Sequence, residues 1–393
     1  MTDTKLLEGI RIVDMTSVIF GPYATQTLAD CGADVIKVEP PTGDQFRSAG
    51  KPANNRGMGA CHMTLNRGKR SIALDLKDED DRAVMRDLLA TADVFIHNVR
   101  AKAVARLGFD YETVREIAPD IVYVHCTGFG SDGPYSPLQA YDDVIQAASG
   151  MTSMLPRADD NPAPRFVPAA IADKVSGLHA AYAVLAAIIH QIRTGKGQFV
   201  EVPMFESFTH FSLEEHLYGA TFDPPVESIV YKRQAEPTRQ PFPTADGHVA
   251  IVPYTDADWG KLFTVLGEPD FVDNEPYDTP LGRFRNQPGM FTRIAELTPA
   301  KTSVEWTELL NEVRIPCMPC RDVADIFEDP HLKATGFFKR REHPSEGGYI
   351  EMQPPVRFGV RPDPELGPAP LLDQHGDEIR EELARSKAVR RVS

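Results

Sequence analysis

Cysteine and tryptophan are scarce here, five and two in 393 residues. An odd, scattered set of thiols excludes a disulfide framework and fits a reducing compartment. Long apolar runs are missing too: "AAYAVLAAIIHQI" is too short and too amphipathic to predict a membrane span. The start, "MTDTKLLEGIRIVD", shows no apolar signal region, so the expected location is cytoplasmic. Positive charge is in deficit, with 42 Lys and Arg against 57 Asp and Glu, a net −15. That balance excludes general nucleic-acid binding, and no membrane partner is expected.

Several catalytic signatures are absent. No G-x-G-x-x-G follows the first strand, where "MTSVIFGPYA" offers one glycine and then proline, so a nicotinamide site is excluded. There is no G-x-S-x-G elbow, no H-E-x-x-H and no paired ligand spacing, so hydrolase and metalloenzyme readings lack residues and no metal is expected. "CMPC" (317–320) has a redox or zinc spacing without a second Cys or His pair beside it. His125 and Cys126 fall inside an apolar strand and read as core.

What is present is an alternation of strand and helix. "IRIVDMT" (10–16), "ADVIKVE" (33–39), "SIALDLK" (71–77), "DVFIHN" (93–98) and "DIVYVHCTGFG" (120–130) read as strands. The segments between them read as helices, including one from Gly21-Pro22 to Cys31 and one over "VARLGFDYETVREIAP". Such spacing predicts an α/β fold, a Rossmann-like parallel sheet wound on both faces, with ligands beyond the strand C-termini. After about residue 215 the composition turns Pro-rich and polar, and then α+β. The expected division is a large domain over 1–215, a linker over 216–245, a smaller α+β domain over 246–328, and a segment over 329–393 that returns to the large domain. Residues 51–106 hold 11 Lys or Arg against 7 Asp or Glu, a local surplus of +4 that suits a small polyanionic ligand.

The segment "VPAAIADKVSGLHAAYAVLAAIIHQIRTGKG" (167–197) predicts a long helix stopped by Gly195. Val175, Leu178, Tyr182, Leu185, Ile189 and Ile192 recur at three- and four-residue steps and predict its buried stripe. Asp173 is expected at or near the N-cap, where a carboxylate accepts free backbone N–H groups.

Taken in order, "LLEGIRIVDMTSVIFGPYATQTLADCGADVIKVEPPTGD", "NRGKRSIALDLK", "DVFIHNVRAKAVARLGFDYE", "GFGSDGPY", "YDDVIQAASGM" and "IADKVSGLHAAYAVLAAI" resemble successive blocks of the family III CoA-transferases. The resemblance implies that Asp173 is a nucleophile that passes CoA from an acyl-CoA donor to a free carboxylic acid through an aspartyl-CoA thioester, with Asp142 supporting it. A helix N-terminus would keep such a carboxylate charged. It implies contacts to CoA at Val18, Leu74, Lys77, Asn98, Val99 and Arg106. It also implies an interlocked homodimer, and CoA or acyl-CoA as substrate with no permanently bound cofactor. Two departures stand out. Gln139 occupies a place often held by Lys, and "VYKRQAEPTRQPFP" has no glycine-rich loop, which weighs against oxalate or formate. Arg165, Lys232, Arg233 and Arg239 are candidates for a second carboxylate of a small dicarboxylic acceptor. The related α-methylacyl-CoA racemases carry His-Asp where this chain has Tyr141-Asp142, and Tyr is a poor base at neutral pH. A non-catalytic acyl-CoA-binding protein is a third reading, against which the intact Asp173 argues.

Overall fold

Interior strands of a parallel sheet are mostly apolar, and the first part of this chain supplies a six-stranded sheet with a more polar edge. The computed structural model describes residues 5–159, 161–359 and 366–390. The strands β1 (Arg11–Met15), β2 (Asp34–Glu39), β3 (Arg70–Ala73), β4 (Val94–His97), β5 (Val122–Thr127) and β6 (Gln198–Pro203) form one parallel sheet. Their order is β3-β2-β1-β4-β5-β6, so the winding reverses between β1 and β4. A crevice opens at such a reversal, beyond the strand C-termini. The intervening helices are α1 (Phe20–Asp30), α2 (Ala60–Leu65), α3 (Glu79–Leu89), α4 (Ala101–Leu107), α5 (Tyr111–Ile117) and α6 (Asp142–Ala148). Next come α7 (Met154–Asp159), α8 (Ile171–Thr194) and α9 (Met204–Leu213).

Two compact units are present, one of residues up to Ser149, Phe166–Ser212 and Leu332 onward, the other of Gly150–Arg165 and Leu213–His331. In the second, β7 (Phe242–Pro243), β8 (His248–Ile251) and β9 (Cys317–Pro319) pair antiparallel. The helices α10 (Asp256–Val265), α11 (Pro280–Arg285), α12 (Gln287–Leu297) and α13 (Ser303–Glu312) accompany them. Phe263, Met290, Ile294, Trp306 and Leu310 fill its core. Capping boxes at Thr255/Asp258 and Thr302/Glu305 start α10 and α13. In "CMPC", Cys317 is buried in β9 and Cys320 is exposed, which leaves the motif without a partner pair.

The chain continues through α14 (Pro330–Ala334), the hairpin β10 (Phe338–His343) and β11 (Gly347–Met352), and α15 (Gly376–Arg390). Residues 1–4, 160, 360–365 and 391–393 of the expected segments lie outside the described residues. The exposed edge of β3 is covered by the returning tail: Ala73 N–H donates to Asp373 and Ser71 N–H to His375.

Four readings of the sequence need correction. The expected single helix over "VARLGFDYETVREIAP" is two, because Gly108 ends α4 in the left-handed conformation and Asp110 caps α5. The strand expected over 71–77 stops at Ala73. The edge strand β6 went unread, since its Gln198 and Glu201 dilute the apolar pattern. The largest correction concerns α8. It runs for 24 residues and contains an 18-residue window of mean hydropathy 1.5, long and apolar enough to cross a membrane by length and composition alone. The predicted stripe is not its buried face: Leu178 is 49% exposed, Tyr182 59%, Ile189 56% and Ile192 72%. The buried face is made of small residues instead, Ala172, Ser176, Gly177, Ala180, Ala181, Val184 and Ala187. These let α8 lie close along α1, where a Cβ added at Gly177 would come within 2.9 Å of the Phe20 carbonyl oxygen.

Gly177→Ala therefore overpacks a backbone-to-backbone contact. The expected outcome is a net loss of ~1–2 kcal/mol, the ~1 kcal/mol gained in helix propensity being outweighed by strain. Urea unfolding checks it, and a stabilised variant would show that the two helices separate freely.

Candidate active site

The site is built where β1, β4 and α8 present their ends. β1 runs into a four-residue turn, Thr16–Ile19, before α1 begins. Val18 in this turn has φ of 69°, a left-handed conformation that a β-branched residue rarely adopts. At the end of β4, Asn98 reaches across the reversal point, accepting from Ser17 N–H at 3.0 Å and donating to Ser17 O at 2.9 Å. Val18 and Asn98, expected near one ligand, are thus brought to one crevice.

Asp173 lies in the first turn of α8, three residues after the N-cap Ala170, and is buried. This corrects the expected capping role. Ala170 offers no side-chain cap, and Asp173 sits inside the first turn rather than at the cap. Burial, and then the Asp142 carboxylate, push its pKa up to about 7, while the backbone N–H of Phe20 at the start of α1 favours the charged form. Asp142 opens α6 and accepts the Asp173 backbone N–H at 3.0 Å. Its other oxygen accepts from the Gln146 amide at 2.6 Å, and Gln146 accepts in turn from Val167 N–H at 2.9 Å. Gln146 was not singled out from sequence, although its four-residue spacing from Asp142 on a helix was a usable signal.

The match to known proteins now decides the family. The profile described as CoA-transferase family III covers residues 7–376. The chain belongs to CoA-transferase family III. It is 31% identical to the human succinyl-CoA:glutarate CoA-transferase, over 98% of this chain and 87% of that protein. It is 33% identical to a formyl-CoA:oxalate CoA-transferase of Rhodopseudomonas palustris, over 96% of this chain and 93% of the relative. Among solved structures, a CAIB/BAIF family protein from Brucella suis superposes with a TM-score of 0.81 at 31% identity, covering 96% of this chain and 99% of that one. The enzyme is a CoA-transferase, and CoA thioesters are the substrates of its class.

The other expected residues of this CoA-transferase are placed as follows. Leu74 follows β3 directly and is packed into the core, and Lys77 is exposed just beyond it. Both lie at the C-terminal edge of the sheet, as do Val18, Asn98 and the half-buried Val99. Arg106 is exposed in the last turn of α4. Much of the local +4 surplus is spent inside the fold: Arg67 pairs with Asp30, Lys69 with Asp14, and Arg70 with Asp34. Lys77 and Arg106 make no ion pair among the described residues. Arg165, Lys232, Arg233 and Arg239 belong to the second unit. Arg165 is held by Asp159 at 2.6 Å, and Lys232 by Glu227. Arg239 donates to Gln234, and burial and then the neighbouring Arg233 pull its pKa down. Among the described residues His, Cys, Asp and Glu form no cluster suited to a metal ion.

The raised Asp173 value carries a stability cost with a definite sign. A carboxyl whose folded pKa lies above its unfolded value binds its proton more tightly when folded, so stability falls as pH rises from about 4 to about 7. Asp173→Asn removes that penalty. The variant is expected to match wild type below pH ~4 and to exceed it by up to about 4 kcal/mol above pH ~7. Thermal melts across that range check it, and a constant difference at all pH values would show that Asp173 is not the group responsible.

Proposed function

We propose that this enzyme moves CoA from an acyl-CoA donor to a small dicarboxylic acid through a covalent aspartyl-CoA thioester at Asp173. The observation that carries this reading is a buried carboxylate beside Asp142 at the start of α8, facing the α1 N-terminus, in a chain that matches the family along most of its length.

The chemistry is a chain of acyl exchanges. An Asp173 oxygen attacks the donor carbonyl, the C–S bond breaks, and CoA leaves as thiolate with a mixed anhydride formed. The thiolate then attacks the Asp173 Cγ, the anhydride opens, and the donor acid departs as its carboxylate. The acceptor carboxylate next attacks the thioester at Cγ and expels thiolate, giving a second anhydride. Attack of thiolate on the acceptor carbonyl completes acyl-CoA and restores Asp173. The thioester consumed is replaced at the end by another thioester, so no nucleotide hydrolysis is required. Asp173 acts only when ionised, and a group near pH 7 is half available there. The Phe20 N–H favours that form and would stabilise charge returning to the carboxylate.

CoA is assigned to the crevice between the β1 and β4 ends, with Val18, Leu74, Lys77, Asn98, Val99 and Arg106 along the C-terminal edge of the sheet. Asp142 supports the nucleophile by accepting its backbone N–H. The second acceptor carboxylate is assigned to Arg233 and Arg239, two neighbouring guanidinium groups without an ion pair among the described residues. Arg165 is a weaker candidate, because Asp159 already occupies it. A dicarboxylate also agrees with the acids named for the two relatives.

Incubation with an acyl-CoA donor alone should add CoA to Asp173, detected by peptide mass spectrometry. Asp173→Ala should lose at least ~10³-fold of transfer activity. In D₂O a 2-methylacyl-CoA should gain no α-deuterium above background. Rapid α-deuteration without acyl exchange would convert the reading to a racemase, with Asp173 and Asp142 as bases.

We propose further that the enzyme works as a homodimer, interlocked as its family implies, with the apolar face of α8 covered by the second copy. Leu178, Tyr182, Ile189 and Ile192 make one exposed stripe of a kind that marks an interface. Sedimentation velocity should show a dimer at micromolar concentration. Ile189→Glu combined with Tyr182→Glu should shift it toward monomer, and a wild-type monomer overturns the assignment.

A further inference from the structure

The turn between β1 and α1 is held with unusual completeness. Thr16 N–H donates to the buried Asp14 carboxylate at 2.9 Å, and Thr16 O accepts from the Lys37 ammonium at 2.9 Å. Ser17 N–H and O are both taken by Asn98. Val18 N–H donates to the two oxygens of Asp44, at 3.3 and 3.2 Å. Every backbone polar group from Thr16 N–H to Val18 N–H thus ends on a side chain from elsewhere in the sheet region. Lys37 and Asp44 are themselves buried and joined at 3.2 Å. A left-handed valine costs energy and persists only where its surroundings over-determine it, and such strain gathers at sites of function.

Asp44 stands at the centre of this arrangement. It fixes Val18 directly, and through Lys37 it fixes Thr16, so both ends of the strained turn depend on one carboxylate. The next residues, Ile19 and Phe20, have little freedom once Val18 is set, because Gly21 already packs on Thr16. A Cβ at Gly21 would lie 2.3 Å from the Thr16 Cβ. The Phe20 backbone that follows lies against the start of α8, its carbonyl oxygen 2.9 Å from where a Cβ at Gly177 would sit.

We infer that Asp44, braced by Lys37, is a positioning residue for the transfer reaction: it holds Val18 in its strained conformation and so aims the Phe20 N–H at the Asp173 carboxylate. This rests on Asp173 being the nucleophile. Asp44 touches neither substrate nor the reacting atoms in this account, and its effect passes through the backbone donor. A hydrogen bond of this kind tightens as charge gathers on its acceptor, so the loss is felt when Asp173 ionises and when its oxygens are released. Among the described residues, the charged side chain acting on Asp173 is Asp142 of α6, which the substitutions below leave in place.

The test compares wild type, Asp44→Asn and Asp44→Ser in single-turnover formation of the CoA adduct, measured from pH 5 to pH 9 with circular dichroism melts alongside. Asp44→Ser removes the carboxylate. It is expected to slow adduct formation roughly 10–100-fold and to move the acidic limb of the profile up by about one pH unit. Asp44→Asn keeps one acceptor oxygen for Val18 N–H and loses the ion pair with Lys37, so it should recover part of both effects. A purely structural role predicts a lower amplitude with an unmoved limb, and that result, in either folded variant, overturns the inference. If Asp44→Ser does not fold, the limb of Asp44→Asn decides alone. Absence of a wild-type adduct at Asp173 overturns the nucleophile reading and the inference together, whereas a wild-type adduct with unmoved limbs overturns only the inference.

Discussion

Two carboxylates sharing one buried place set the terms for the rest of this structure. Burial raises the cost of charge on Asp173, and Asp142 beside it raises that cost again. The pair persists because Asp142 is well satisfied, taking the Asp173 backbone N–H on one oxygen and the Gln146 amide on the other. Gln146 is fixed in turn by the chain leading into α8, through Val167 N–H. Burial around Asp173 makes each remaining dipole count for more, so one backbone N–H at the start of α1 acquires electrostatic weight.

That dependence explains why so much charge lies inside the sheet. β2 is buried along almost its whole length, yet it carries Lys37 and Glu39. Burial opposes the charge on Lys37, and Asp14, Asp44 and Glu39 outweigh it and hold its pKa above the ordinary value. Burial likewise opposes charge on Glu39, but the Arg47 guanidinium and Lys37 bring its pKa down to about 2. Replacing such buried pairs with apolar residues is often neutral for stability, so stability alone does not account for them. What they do is to point inward at the turns after β1 and β2, giving backbone groups there fixed partners.

The sequence made the outline of the first unit readable because its signal is periodic and local. β1, β2, β4 and β5 are β-branched runs, and α1 and α3 announce themselves by spacing and, for α3, by the Asp78 cap. Asp142 and Asp173 were legible only through ordered blocks of resemblance, since an Asp at a helix start is ordinarily a cap. The buried face of α8 was misread for a physical reason. Periodicity reports which residues share a face, and it does not say whether that face meets the same chain or another. Large residues at one phase and small ones at the other leave both options open, and the close approach to α1 selected the small ones. Lys37 and Asp44 were missed because the turn they hold is distant in sequence, whereas Gln146 had only its four-residue spacing from Asp142 to mark it. For the first two, a lysine inside a β-branched run is the one local hint.

One helix therefore answers three demands at once. Its small face lets α1 come near enough to set a backbone donor against Asp173, and Gly177 is the tightest point of that contact. Its first turn carries Asp173, the buried carboxylate beside Asp142. Its large apolar residues are left on the opposite side, where burying them within this chain would have pushed α1 away. An exposed stripe on a functional helix is in this sense a consequence of the site's geometry. At Gly177, where the two backbones meet, side chains big enough to fill a core are shut out, and most of the large apolar residues of the helix lie on the face that remains.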